Sequence, residues 1–163
     1  MDLRWKAYGT ATAVFILDRL TKWIVETRVS FLDNLAVIPG FFSIVHSQNR
    51  GAAFSLFDGG DSVWRTALLL VFSLVAVAVV GRILWNADRL DRLSLAGLAL
   101  ILGGAAGNVF DRLLWGRVTD FLDFYAGDYH WPTFNVADSA IVIGSSLLLL
   151  ELLRPKRQAA NVP

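Results

Sequence analysis

Trp64-Arg65-Thr66-Ala67-Leu68-Leu69-Leu70-Val71-Phe72-Ser73-Leu74-Val75-Ala76-Val77-Ala78-Val79-Val80-Gly81-Arg82-Ile83-Leu84-Trp85 carries no charge between Thr66 and Gly81 and has an indole at each end. A run of that length is long enough to cross a bilayer as a helix, and the terminal indoles fall where an interfacial aromatic belt sits. Working outward, three more apolar runs appear. They cover about 7–26, 93–114 and 136–153, and the last is closed by Arg154-Pro155-Lys156-Arg157. Together with 64–85 they predict a mainly α membrane protein, a four-transmembrane-helix bundle forming a single domain over 1–163. Composition agrees: the 163 residues are 55% hydrophobic and 18% charged, with a mean hydropathy of +0.53, which is too apolar for a soluble domain of this length.

The net charge of +1 and the lack of a basic stripe argue against nucleic acid as a partner. There is no cysteine, so disulfides, thiolate nucleophiles and cysteine-ligated metals are excluded. Arg4 and Lys6 before an apolar run imitate a secretory signal. Asp18, Arg19 and Lys22 stand where a small-residue cleavage site belongs, and the reading is an uncleaved first helix.

Orientation follows from the basic residues. With both termini cytoplasmic, the inward segments hold Arg4, Lys6, Arg82, Arg89, Arg92, Arg154, Lys156 and Arg157, against Arg28, Arg50, Arg65 and Arg117 outside. Arg19, Lys22 and Arg112 lie near outward helix ends and stand outside both groups. In this topology Asp18 and Lys22 end helix one, Asn108, Asp111 and Arg112 end helix three, and Asp138 begins helix four, all on the outward side. Ionisable groups at membrane depth are costly, so their convergence from three segments points to a site near the outer face.

Between the first two helices, 31–57 reads as extended structure. Leu35-Ala36-Val37-Ile38, a Pro39-Gly40 turn, Phe41-Phe42-Ser43-Ile44-Val45-His46 and Ala52-Ala53-Phe54-Ser55-Leu56 predict a small outward-facing antiparallel β-sheet. Such a sheet suits two roles, a fold over the bundle or a cradle for an extended peptide with its aromatics in lipid. Gly59-Gly60 offers a hinge, and Trp131-Pro132 reads as an interfacial anchor.

Asp120, in Val118-Thr119-Asp120-Phe121, and Asp138, in Phe134-Asn135-Val136-Ala137-Asp138-Ser139, bracket the turn from the third helix to the fourth. Two carboxylates are the minimum for acid and base work on one substrate. Taken singly, each has a plainer reading: Asp138 stands three after Asn135, as in a capping box, and Asp120 has Arg112 and Arg117 as ion-pair partners. Asp18 and Lys22, four apart, support a helix or steady the site, and Gly103, Gly104 and Gly107 let helix three approach a neighbour closely. His46 and His130 read as surface residues, with no metalloprotease spacing around them. A small transporter or channel subunit is the alternative, although a conduction path needs polar groups through the whole bilayer depth and these lie at one end.

Five blocks in order, Asp18-Arg19-Leu20-Thr21-Lys22, Asn49-Arg50-Gly51-Ala52-Ala53-Phe54, Gly103-Gly104-Ala105-Ala106-Gly107-Asn108-Val109-Phe110-Asp111-Arg112, Val118-Thr119-Asp120-Phe121 and Phe134-Asn135-Val136-Ala137-Asp138-Ser139, resemble the signature blocks of the bacterial lipoprotein signal peptidase family, signal peptidase II. The resemblance covers about Ala7 to Leu153. It implies an aspartyl endopeptidase of the inner membrane, acting near the periplasmic face, that cuts diacylglyceryl-modified prolipoproteins on the amino side of the lipidated cysteine. It also implies no metal or organic cofactor, membrane lipids as surroundings, and inhibition by globomycin-type cyclic peptides. By resemblance Asp120 and Asp138 are the catalytic dyad, while Asn49, Gly51, Gly104, Asn108, Arg112, Asn135 and Ala137, with Asp18, Lys22 and Asp111, bind substrate or support the site. The dipole at the start of helix four favours an anion at Asp138, whereas Asp120 lies beside Phe121 and Phe124; Asp138 is therefore expected to be the base.

Overall fold

A computed structural model describes residues 2–49, 63–87 and 90–154, with side chains in the second helix from Ala67 onward. Gly51, the strand expected near Ala52–Leu56 and the Gly59-Gly60 hinge lie outside the described residues. Four helices are present: α1 Leu3–Arg28, α2 Val63–Trp85, α3 Arg92–Trp115 and α4 Val136–Leu153. β1 Asn34–Ile38 and β2 Phe42–Asn49 follow α1, and β3 Val118–Ala126 and β4 Tyr129–His130 follow α3.

Each helix start has a local cause. Asp2 accepts from the Arg4 amide at 3.2 Å, Asp91 accepts from the amides of Leu93 and Ser94 at 2.9 Å, and Asn135 opens α4 with a capping box. α3 stops at Gly116, whose φ of 65° is left-handed backbone that favours glycine.

α3 is the central helix and packs against α1, α2 and α4. Its small residues allow this. A Cβ at Gly97 would lie 2.7 Å from the carbonyl oxygen of Gly144, and one at Gly103 would lie 2.7 Å from Val14 Cβ on α1. The stripe read from the sequence is therefore a packing device, which matters in lipid because apolar burial drives no association there. Val71, Phe72, Val75 and Val79 of α2, and Val142, Ile143 and Leu149 of α4, are exposed apolar side chains suited to lipid as solvent.

α2, α3 and α4 are long and apolar enough to cross a membrane. α1 is the exception by composition, because Asp18, Arg19, Lys22 and Glu26 occupy its second half. Asp18 and Lys22 are nonetheless fully buried, turned into the bundle rather than towards lipid.

The antiparallel sheet runs in the order β1-β2-β3-β4. The β1–β2 hairpin expected after α1 is present, and the α3–α4 connection, not anticipated as strand, supplies the other half. β3 pairs along β2 from Phe42↔Phe124 to Asn49↔Val118, with a bulge between Ile44 and Ser47. This pairing sets Asp120 opposite Ser47 and ties the α1–α2 and α3–α4 connections into one structure.

His46 corrects an expectation. It is buried rather than on the surface: its ring stacks on Phe31 at 3.9 Å, and Nδ1 donates to the Val29 carbonyl oxygen at 2.9 Å. His130 is half-exposed, as expected, and binds Asp123 at 2.9 and 3.0 Å.

Candidate active site

The site is assembled where the start of α4 meets β3 and the C-terminal halves of α1 and α3. Asn135 is its junction. As N-cap of α4 it accepts from the Asp138 amide at 2.9 Å, and the Asp138 carboxylate accepts in return from the Asn135 amide at 3.3 Å. A backbone N–H can only donate, so the facing Asn135 atom is oxygen and the side-chain NH2 points the other way. That NH2 donates to Asp120 Oδ1 at 2.7 Å. One fully buried asparagine thus holds both carboxylates.

Asp138 receives a second donor, Asn108 Nδ2, at 2.7 Å. Its capping role is real, and the same carboxylate also faces the site; the two readings do not compete. Asp120 is only 2% exposed. Burial, then the negative charge of Asp138, pushes its carboxyl up to about 6, against hydrogen bonds from Asn49 and Asn135 that favour the anion. Its hydrogen-bond partners are amides, and Arg112 lies within electrostatic reach of Asp120, Asp138 and Asp111. The Arg112 Nη1 also donates to the Asn108 carbonyl oxygen at 3.4 Å.

Behind these groups lies a buried ionic cluster. Lys22 Nζ sits 2.8 Å from Asp18 Oδ2 and 2.8 Å from Asp111 Oδ2. Asp18 Oδ1 accepts from the Ala137 amide at 2.9 Å, so a side chain of α1 caps α4. Asp111 is also paired with Arg19, whose guanidinium lies over Phe110 and Trp115 at 5.2 and 4.8 Å. The sequence did not single out Arg19; its place in the block beside Asp18 was the available signal. Glu26 accepts from the Thr119 hydroxyl at 2.7 Å and ties α1 to β3, a contact with no sequence signal.

Of the expected site residues, Asp18, Lys22, Asn108, Asp111, Asn135 and Ala137 gather with the two aspartates, as does Asn49. Gly104 instead faces the Ala137 backbone and Ile141, at the crossing of α3 and α4. Among the described residues no three His, Cys, Asp or Glu side chains are grouped to hold a metal ion.

The signal peptidase (SPase) II family matches residues 10–154, a stretch that includes every element of this site. The chain belongs to the signal peptidase II family. It is similar to the lipoprotein signal peptidase of Solibacter usitatus (strain Ellin6076), 66% identical over 161 residues, covering 99% of this chain and 98% of that one. A lipoprotein signal peptidase of Nitratidesulfovibrio vulgaris (strain DP4) is 42% identical, covering 94% of this chain and 93% of the relative. A solved bacterial membrane enzyme, determined by the in meso method at 2.3 Å, superposes with a TM-score of 0.83 at 28% identity, covering 97% of this chain and 94% of the other. Membership makes the protein an aspartic peptidase of the signal peptidase II type and a multi-pass bacterial membrane enzyme. The transporter alternative falls with it.

Proposed function

We propose that the protein removes the signal peptide from diacylglyceryl-modified prolipoproteins, on the amino side of the lipidated cysteine, with Asp120 and Asp138 as its catalytic dyad. The observation that carries this reading is the Asn135 bridge, which donates to Asp120 and caps Asp138 from one buried side chain. Like charges in a shared site do not both ionise cheaply, so one carboxyl keeps its proton. Asp120, pushed up to about 6, is the protonated member; Asp138, with donors from Asn108 and Asn135, is the base.

The ionised Asp138 takes a proton from water as the water oxygen attacks the carbonyl carbon of the residue before the cysteine. Asp120 donates its proton to the carbonyl oxygen, giving a tetrahedral diol. Collapse breaks the C–N bond, with one diol proton returned to Asp120 and the proton on Asp138 passed to the leaving cysteine nitrogen. The dyad titrates as a unit.

The substrate is held in the membrane by its acyl chains, and the protein surface suits that delivery. Phe31, Leu32, Leu35, Val37, Ile38 and Phe41 of the β1–β2 hairpin and its approach are exposed apolar residues, and in this reading they rest in the outer lipid interface. Both termini are then cytoplasmic, all four helices cross, and the dyad lies near the periplasmic face. Globomycin-type cyclic peptides compete for the same cleft.

A mobility-shift assay in detergent with a diacylglyceryl-modified prolipoprotein tests the proposal. Wild type cleaves, whereas Asp120→Asn and Asp138→Asn bind substrate and leave it intact. Cleavage by either variant removes that aspartate from the dyad.

A further inference from the structure

Lys22 is fully buried and pairs with Asp18, Asp111 and Asn108 rather than with either aspartate of the dyad, although its charge reaches Asp120. Two carboxylates, Asp18 and Asp111, already compensate its charge at 2.8 Å each. Its third contact goes to a neutral group, Asn108 Oδ1, at 3.0 Å. An ammonium has three donors and no acceptor, so the atom of Asn108 facing it must be the carbonyl oxygen. The amide NH2 then points in the opposite direction, where it lies 2.7 Å from Asp138 Oδ1. A half-turn of the amide would set NH2 against NH3+ and oxygen against carboxylate. Both contacts would become repulsive at once, and the flipped state is shut off while Lys22 is charged.

We propose that Lys22 is a positioning residue for the dyad, locking the Asn108 amide in the one orientation that donates to Asp138. The inference rests on the reading of Asp120 and Asp138 as the catalytic pair. It places the same device at both carboxylates, each met by an asparagine NH2 whose direction is fixed by an obligate donor behind it. For Asn135 that donor is the Asp138 backbone N–H, and for Asn108 it is the Lys22 ammonium. Asn135 Nδ2 adds a second, longer contact to Asn108 Oδ1 at 3.4 Å, with the same polarity.

The lock is itself held in place. Asp18 is anchored by the Ala137 amide, and Asp111 by Arg19 on its aromatic platform. The charged groups around Lys22 are Asp18 on its own helix, Asp111 on α3 and, at electrostatic range only, Asp120 on β3, with Glu26 of α1 within electrostatic reach of Asp111; Asn108→Leu, which keeps the Lys22 charge, separates the lock from that direct effect. The charged groups around Asp138 are Asp120 from β3 and Arg112 from α3. None of them reproduces the contact to Asn108 Oδ1 that Lys22 makes.

The test compares Lys22→Met, Lys22→Gln, Lys22→Arg, Asn108→Leu and the Lys22→Met/Asn108→Leu double variant, using the full chain in detergent and a diacylglyceryl-modified prolipoprotein peptide. Lys22→Met is expected to lose about ten- to hundred-fold in kcat, because the base is no longer held in place, with KM within about two-fold of wild type. The acidic limb of the kcat/KM profile should move up by about half to one pH unit, since the ionised dyad has lost a donor. Asn108→Leu should do the same, and the double variant should be no worse than the weaker single, as two changes to one relay do not add. Lys22→Arg, another obligate donor, should return the limb towards wild type, whereas Lys22→Gln, which accepts as readily as it donates, should not.

An unmoved acidic limb in Lys22→Met, or losses that multiply in the double variant, overturns the proposal. Should Lys22→Met fail to fold, Asn108→Asp decides. It gives Lys22 an anionic partner in place of the neutral amide and sets an acceptor against Asp138, so its limb must rise, and an unmoved limb refutes the lock. Asp120→Asn and Asp138→Asn serve as controls. If they cleave, the dyad reading has failed; if they are inert and the limb stays put, only the Lys22 inference has.

Discussion

Replacing Asp120 with asparagine should abolish cleavage and, at neutral pH, make the protein more stable. The carboxyl is 2% exposed and is pushed from an ordinary 3.8 to about 6, first by burial and then by the charge of Asp138. The folded state therefore holds this proton more tightly than the unfolded chain does. Relative to a neutral side chain, wild type loses stability as pH rises from about 4 through 6, because the folded protein must then carry a desolvated anion. At about 1.36 kcal/mol per pH unit the gap between the two values corresponds to roughly 3 kcal/mol, fully expressed above about pH 7 and absent below about pH 4. Asparagine has nearly the same shape and keeps an oxygen for the Asn135 amide to donate to. Unfolding followed by the fluorescence of the six tryptophans, in one detergent at pH 4, 6 and 8, should show wild type and Asp120→Asn nearly equal at pH 4. The variant should melt several degrees higher at pH 8. An equal difference at all three pH values, or a variant less stable at pH 8, would refute the reasoning.

Other outcomes follow from single contacts. Asn49→Ala removes a donor from the Asp120 carboxylate, so the proton is kept to higher pH and the basic limb of kcat/KM should rise by about half to one pH unit from near 6. Gly104→Ala drives a Cβ into the Ala137 carbonyl at the crossing of α3 and α4; it should cost roughly 1–3 kcal/mol in thermal unfolding and reduce activity by shifting the first turn of α4. Gly9→Ala, with nothing within 4 Å, serves as its companion and should be neutral or stabilising by up to about 1 kcal/mol.

The helices were legible because length and the absence of charge carry that signal; α2 is bounded by its own charges and indoles. The two aspartates stood out as acids in apolar surroundings, although Asp120 proves to lie within β3 and only Asp138 at a helix start. β3 was not legible. Its first four residues, Val118 to Phe121, are all buried, so the strand lacks the alternation that marks one facing water on one side. The pairing of β2 with β3, which places Asn49 near Asp120, depends on a long-range register that no local pattern encodes. His46 was misread for a related reason: a histidine in a loop defaults to the surface, and only the Phe31 ring and the Val29 carbonyl give it a buried place. The Lys22 cluster was half-visible, since Asp18 four residues before Lys22 could be read as a helix pair, but Asp111 and Asn108 reach it only once α1 and α3 have packed.

The reach of Asp18 across to the Ala137 amide bears on how the enzyme is made. Translation delivers α1 first and α4 last, so Asp18 and Lys22 are made well before the groups they will finally hold. A nascent chain with only its first three helices has the ionic cluster of α1 and α3, and even Asp120, but no Asp138 and no Asn135 to organise them. With Asp120 and Asp138 as the proposed dyad, the site is complete only when the first helix receives the last.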